Sequence, residues 1–125
     1  MSTQSTDAEL ISFVQFGNYD GIQETIVNGS LTATVCNNLW LLHWAAINNR
    51  VRIAKLLISC GASINLPVGE LNEIPLQWVA RNDAFTYMME LLLEHGADMS
   101  LKNVNGHDAL SVACIFGNIN MAYIM

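Results

Sequence analysis

Leu42-His43-Trp44-Ala45-Ala46, Leu76-Gln77-Trp78-Val79-Ala80 and Leu110-Ser111-Val112-Ala113-Cys114 decide the fold, because each stands 34 residues after the one before it. That period is the period of a two-helix repeat, whose units bury their apolar faces only by stacking on one another. A weaker first copy, Leu10-Ile11-Ser12-Phe13-Val14, begins 32 residues before Leu42. Four copies therefore fill the chain, at about 7–37, 38–71, 72–105 and 106–125, the last unfinished.

Each copy has the same internal grammar. A short apolar helix is expected to stop at Gly17, Asn49, Asp83 or Gly117, each seven places after the leading leucine. These residue types enter the left-handed backbone region more easily than most. A second helix follows, at 51–58 and 85–94 in the middle copies, and closes at Gly61 and Gly96, where a glycine after a helix end belongs. The interval from Asp83 to Gly96 is 13 residues against 12 from Asn49 to Gly61, so the second helix of the third copy is expected to absorb one extra residue. The connecting stretches 65–74 and 99–107 carry Pro67, Gly69 and Asn105-Gly106, which is turn chemistry. The expected fold is all-α: a solenoid of about four helix-turn-helix repeats joined by hairpin-like turns. Its stacked core should hold Leu42, Ala45, Ala46, Leu56, Leu57, Leu76, Ala80, Leu92 and Leu93.

At 125 residues, with 52% apolar and 13% charged residues, the chain has enough side-chain area for one folded domain, 1–125, and too few charges for a disordered one. Five basic against eleven acidic residues give a net charge of −6, which argues against nucleic acid as a partner. Cys36, Cys60 and Cys114 are odd in number and widely spaced, so reduced, buried or capped thiols are expected rather than a zinc site. The N-terminus lacks the basic and apolar regions of a signal peptide. The longest mostly apolar run, Leu39–Ile47, is far short of the ~20 residues that span a bilayer, so no direct membrane insertion is expected. The charges of Glu70, Glu73, Glu90, Glu94 and Asp98 read as a solvated face. The apolar last turn around Ile119, Met121, Ala122, Ile124 and Met125 reads as a docking face for further repeats after Met125 or for a second copy.

The two middle copies, LLHWAAINNRVRIAKLLISCGASIN and IPLQWVARNDAFTYMMELLLEHGADMS, resemble ankyrin repeats, with Gln77 where the ankyrin signature has His. The resemblance implies that His43 ties adjacent loops together. More particularly, LLHWAAINNR followed by GELNEIPLQWVARND is similar to the N-terminal ankyrin domain of the huntingtin-binding DHHC palmitoyltransferases, from about Phe13 to about Phe116. That resemblance implies a module on the cytosolic face of Golgi or other endomembranes that recruits substrates through extended Val-Val-x-x-Gln-Pro segments. The family's acyl transfer uses an Asp-His-His-Cys segment that these residues do not contain. No catalytic residue, metal ligand or cofactor is therefore expected within them. A free-standing ankyrin adaptor is the alternative.

In the repeat frame, the Trp44 slot and the slot four residues later give the pairs Ser12 and Phe16, Trp44 and Asn48, Trp78 and Asn82, Val112 and Phe116. Stacking the second copy on the third should set Asn48 and Trp78 on one face, where an aromatic wall beside an amide suits a proline ring and a peptide hydrogen bond. The resemblance places these slots on the concave surface, and it matches Asn48 and Trp78 to the Asn and Trp that bind the Gln-Pro end of the segment. It also matches Phe16 to a tyrosine of the same groove. The candidate peptide-binding residues are thus Asn48, Trp78, Trp44, Phe16 and Asn82.

Overall fold

The computed structural model describes residues 7–27 and 39–125, and these fall into two compact units divided between Ser63 and Ile64. Cys36 and the end of the first copy lie outside the described residues. The first unit contains α1 (Asp7–Gln15), α2 (Tyr19–Val27), α3 (Leu39–Ile47) and α4 (Val51–Ser59). The second contains α5 (Pro75–Val79), α6 (Thr86–Glu94), α7 (Ala109–Ile115) and α8 (Ile119–Ile124). Among the described residues the fold is all-α, with one isolated antiparallel bridge between Val68 and Glu73.

Sequence sets the helix ends through one recurring cap. After α1, α3 and α7 a residue with positive φ follows: Gly17 at 71°, Asn49 at 56° and Gly117 at 69°. Its N–H donates to the carbonyl of Val14, Ala46 or Cys114, and the next N–H reaches back to Phe13, Ala45 or Ala113. This pair of bonds satisfies carbonyls that a helix end leaves open. Gly61 and Gly96 close α4 and α6 with the same pair of bonds.

The third copy departs from this grammar, against the sequence expectation. Asp83 is not a positive-φ stop; α5 has five residues, and its end is followed by single bonds from Arg81 N–H to Trp78 and from Asn82 N–H to Val79. The extra residue therefore sits in the loop before α6, and α6 keeps the nine residues of α4. Asp83 instead accepts from the backbone N–H of Met121 at 3.2 Å and the side-chain amide of Asn120 at 2.9 Å. An aspartate released from capping one helix thus anchors the start of another.

In the first unit α1 packs on α2 and α3, and α4 on α2 and α3. Leu10, Val14, Ile22, Leu41, Leu42, Ala45, Ala46, Ile53, Ala54 and Leu57 form its core. Alanines at 45, 46 and 54 let helices approach closely, while Arg52, Lys55 and Ser59 hold the opposite, exposed face of α4. In the second unit Leu76, Val79, Ala80, Met88, Met89, Leu91, Leu92, Ala109, Val112, Ala113 and Met121 are buried. Leu56 and Leu93, expected inside, are only half-buried, because the neighbours Leu57 and Leu92 take the inward face. Cys114 is exposed and Cys60 half-buried, so the buried-thiol reading does not hold for Cys114. Of the last turn, Met121 is fully buried, whereas Ile119 and Tyr123 are largely exposed.

Candidate functional site

The connecting loops of the second unit are held by three buried polar side chains. Gln77, 1% exposed, accepts the Ile74 N–H at 2.8 Å through Oε1, and its amide N–H groups donate to the Leu101 and His107 carbonyls, each at 3.1 Å. The amide thus joins two successive loops, a task the family resemblance gives to His at that position. Asn103 accepts from the Asn105 and His107 N–H groups, at 2.9 and 3.0 Å, and so shapes the Asn105-Gly106 turn. Its amide also donates to Glu73 Oε2 at 2.8 Å.

Glu73 is 0% exposed, which overturns its reading as part of a solvated face. Its carboxylate meets Arg81 in a two-point ion pair, Nη1 to Oε1 at 2.8 Å and Nη2 to Oε2 at 2.9 Å. Burying a carboxylate is costly unless it is paired and hydrogen-bonded, and here Arg81 and Asn103 do both. The planar guanidinium fork fits the carboxylate and is thereby fixed in one orientation. So fixed, Arg81 lies 4.9 Å from the Trp78 ring centroid and 5.8 Å from that of Phe116. A cation over a tryptophan face is attracted by the ring's negative quadrupole.

The second unit thus presents Trp78, Arg81 and Phe116 together. Trp78 is half-buried, Phe116 is 55% exposed, and the Trp78 indole Nε1 is buried with no hydrogen-bond partner among the described residues. An unsatisfied buried donor of this kind costs about 1–3 kcal/mol. Such a surface offers flat apolar area for a proline or aliphatic side chain and a cationic edge for a carbonyl or carboxylate.

Trp78 belongs to this arrangement, and Phe116, paired with Val112 in the repeat frame, joins it. Val112 itself is 2% exposed and packs in the core, because it faces inward from α7. Asn82 is exposed, and its Oδ1 accepts the Ala84 N–H at 3.0 Å, turning the loop before α6. In the first unit, Asn48 is half-buried with its amide donating to the Trp44 carbonyl at 2.9 Å, Trp44 is half-buried, Ser12 is half-buried, and Phe16 is 79% exposed. His43 is buried, with its ring 6.1 Å from that of Trp40.

Sequence reasoning missed Glu73, Arg81 and Asn103. Eight residues separate Glu73 from Arg81 and thirty separate Glu73 from Asn103, so only the folded loops bring them together. The one available signal was Arg81 itself, one of five basic residues in an acidic chain and three places after Trp78. Among the described residues, no group of three or more His, Cys, Asp or Glu side chains could hold a metal ion. No helix among them is long and apolar enough to cross a membrane.

Comparison with known proteins agrees with this architecture. The chain is 37% identical over 123 residues to the putative palmitoyltransferase ZDHHC13 of Danio rerio, covering 97% of this chain and 19% of that protein. It is 44% identical over 78 residues to palmitoyltransferase AKR1 of Lachancea kluyveri, covering 62% of this chain and 10% of that protein. With palmitoyltransferase ZDHHC17 of Homo sapiens the identity is 35% over 99 residues, 78% of this chain and 16% of that protein. The chain spans about a fifth or less of the length of the relatives it matches. They are palmitoyltransferases, the group whose LLHWAAINNR-type block this sequence resembles. The family model described as ankyrin repeats, in three copies, matches residues 42–125, over which the helices, their glycine and asparagine caps and the loop-tying Gln77 have been described. The chain belongs to the ankyrin-repeat family.

Proposed function

We propose that this chain is a protein-recognition module, the ankyrin portion of a DHHC-type protein S-palmitoyltransferase, and that it recruits substrates by binding extended segments of the Val-Val-x-x-Gln-Pro type. The observation that carries the reading is the cluster of Trp78, Arg81 and Phe116, in which an ion pair to a fully buried glutamate holds a cation between two partly exposed rings. Side chains this constrained lose little rotamer freedom when a ligand arrives, which is what an affinity site needs. The similarity to three palmitoyltransferases supports the assignment of the parent protein, whose place would be the cytosolic face of an endomembrane such as the Golgi. Acyl transfer would belong to other parts of such a protein.

In the proposed binding mode the Trp78 indole packs against the proline ring, and the Arg81 edge takes a backbone carbonyl. Asn48, in the other unit, is proposed from the sequence match and is tested separately. A fluorescently labelled Val-Val-x-x-Gln-Pro peptide, titrated with the wild-type chain, is expected to bind saturably. Trp78→Ala, with its fold verified by circular dichroism, should abolish that binding. A well-folded wild-type chain that does not bind would remove the segment assignment. Loss of binding in Trp78→Ala but not in Asn48→Ala would remove Asn48 alone.

A further inference from the structure

The first unit carries a feature that the peptide site does not use. Three of the five basic residues of the chain, Arg50, Arg52 and Lys55, fall within six positions at the start of α4. They border two clefts of 260 and 450 Å³ that share Tyr19 and Arg52. The first runs from Gly17 to Ile53 and the second from Tyr19 to Ser59.

The basic side chains on this surface are each placed by specific contacts. The Arg52 guanidinium lies 4.1 Å from the Tyr19 ring centroid, held there as a cation over a phenol face. Arg50 spends one N–H on the Gln15 carbonyl at 2.7 Å, and its buried Nε has no hydrogen-bond partner among the described residues. Its guanidinium carbon is pressed against Gly17, where a Cβ would come within 3.2 Å, so the charge is partly withdrawn from water. α4 begins at the same place with no side-chain cap and no acidic residue in its first turn, leaving its positive end open. Asp20 and Glu24 are exposed on α2, yet among the described residues no ion pair joins them to Arg50, Arg52 or Lys55. Among the described residues, the half-desolvated Arg50 guanidinium has a backbone carbonyl as its hydrogen-bond partner and no paired carboxylate.

We propose that this surface binds an acidic peptide segment, with Arg52 and Lys55 taking two of its carboxylates and the open end of α4 beside Arg50 taking a third anionic or carbonyl group. Spacing favours a peptide over a single small anion. Arg52 and Lys55 are one helical turn apart, about 5–6 Å between Cβ atoms. Alternate residues of an extended chain project to the same side about 6.6–6.8 Å apart. Both clefts are open, and between them they border α4 from Val51 to Ser59, a stretch an extended segment could follow.

The test is a titration of the full chain with fluorescein-labelled hexaglutamate at low ionic strength, against hexaglutamine as the uncharged control. Arg52 and Lys55 are exposed, so Arg52→Gln and Lys55→Gln should fold normally. Each is expected to weaken hexaglutamate binding about fivefold, as the loss of a partly screened ion pair does. Lys102→Gln, which removes an exposed charge from the other unit, should leave binding unchanged. Hexaglutamate binding no tighter than hexaglutamine, or weakened equally by Lys102→Gln, would overturn the proposal. So would full displacement of the peptide by millimolar inorganic phosphate at matched ionic strength, which would mark a small-anion site instead.

Discussion

Removing either partner of the Glu73–Arg81 pair should destabilise the chain, but by unequal amounts. Glu73 is fully buried, while the Arg81 side chain keeps 23% of its surface exposed. In Arg81→Ala the carboxylate stays behind in the protein without its paired guanidinium, while the Asn103 amide 2.8 Å away still donates to it. Breaking a buried pair in this way costs about 3–5 kcal/mol, and the remaining Asn103 bond places this case near the lower end. In Glu73→Gln the neutral amide fills the same space and keeps its contact with Asn103, and Arg81 can turn its guanidinium toward water. The loss is then close to that of one charge-assisted hydrogen bond, about 1.5 kcal/mol. The predicted gap between the two variants is therefore about 1.5 kcal/mol, a factor of about ten in the unfolding constant. Urea titrations followed by far-UV circular dichroism measure it, and the double variant Glu73→Leu/Arg81→Met should recover most of the loss. Equal costs for the two single variants, or a larger cost for Glu73→Gln, would refute the claim that burial of the carboxylate dominates this pair.

Other consequences are open to the same assay. Gln77→Ala removes three hydrogen bonds between loops at a 1% exposed position, and should cost about 3 kcal/mol at about 1 kcal/mol each; Gln77→His, which restores the ankyrin signature, should recover part of that, as urea midpoints will show. Leu57→Ala should cost about 2–5 kcal/mol, because Leu57 is 0% exposed, whereas Leu56→Ala at a half-buried position should cost less than about 2 kcal/mol. Asp108 caps α7 by accepting the Ser111 N–H at 2.8 Å, and that bond holds its carboxyl below the usual 3.8. A carboxyl lowered in the folded state stabilises above its unfolded value and ceases to do so as pH falls through the folded one. Asp108→Ala should therefore cost about 1 kcal/mol at pH 7, and its difference from wild type should close as the pH of the melts is taken below 3.8.

The parts of the fold legible in the sequence are those set by local chemistry. Gly17, Asn49, Gly61, Gly96 and Gly117 mark helix ends because few other residues accept positive φ, and all five adopt it. Asp83 misled because its residue type and its place in the period were right, yet the extra residue in that copy was taken up before α6. A loop able to turn on Asn82 no longer needs a left-handed stop. The inward residue of each leucine pair was not legible, since Leu56-Leu57 and Leu92-Leu93 are chemically identical choices and only the helix phase selects between them. At the site, Trp78 stood out by period and aromaticity. Glu73 did not, because its burial depends on Arg81 and Asn103 arriving from two different loops, and an isolated glutamate in a turn reads as solvated.

The position just after the positive-φ stop shows how one slot can serve both architecture and recognition. At that slot Arg50 donates to the carbonyl of Gln15, the last residue of α1, at 2.7 Å. Asn118, 68 residues or two periods later, donates to the carbonyl of Ala80, the cap of α5, at 2.7 Å. In both, a side chain from one copy satisfies a carbonyl that the preceding copy's first helix leaves open, which fixes the register between neighbours. Asn118 does this with a neutral amide and is 9% exposed, so the contact ends there. Arginine performs the same stitch with a charge and additional donors, and its guanidinium borders the cleft beside Tyr19 and Arg52. The stitch requires only one N–H, and a neutral amide provides it at Asn118. The charge at Arg50 exceeds what the stitch uses, and it stands beside Arg52 at the cleft proposed above to take an acidic segment.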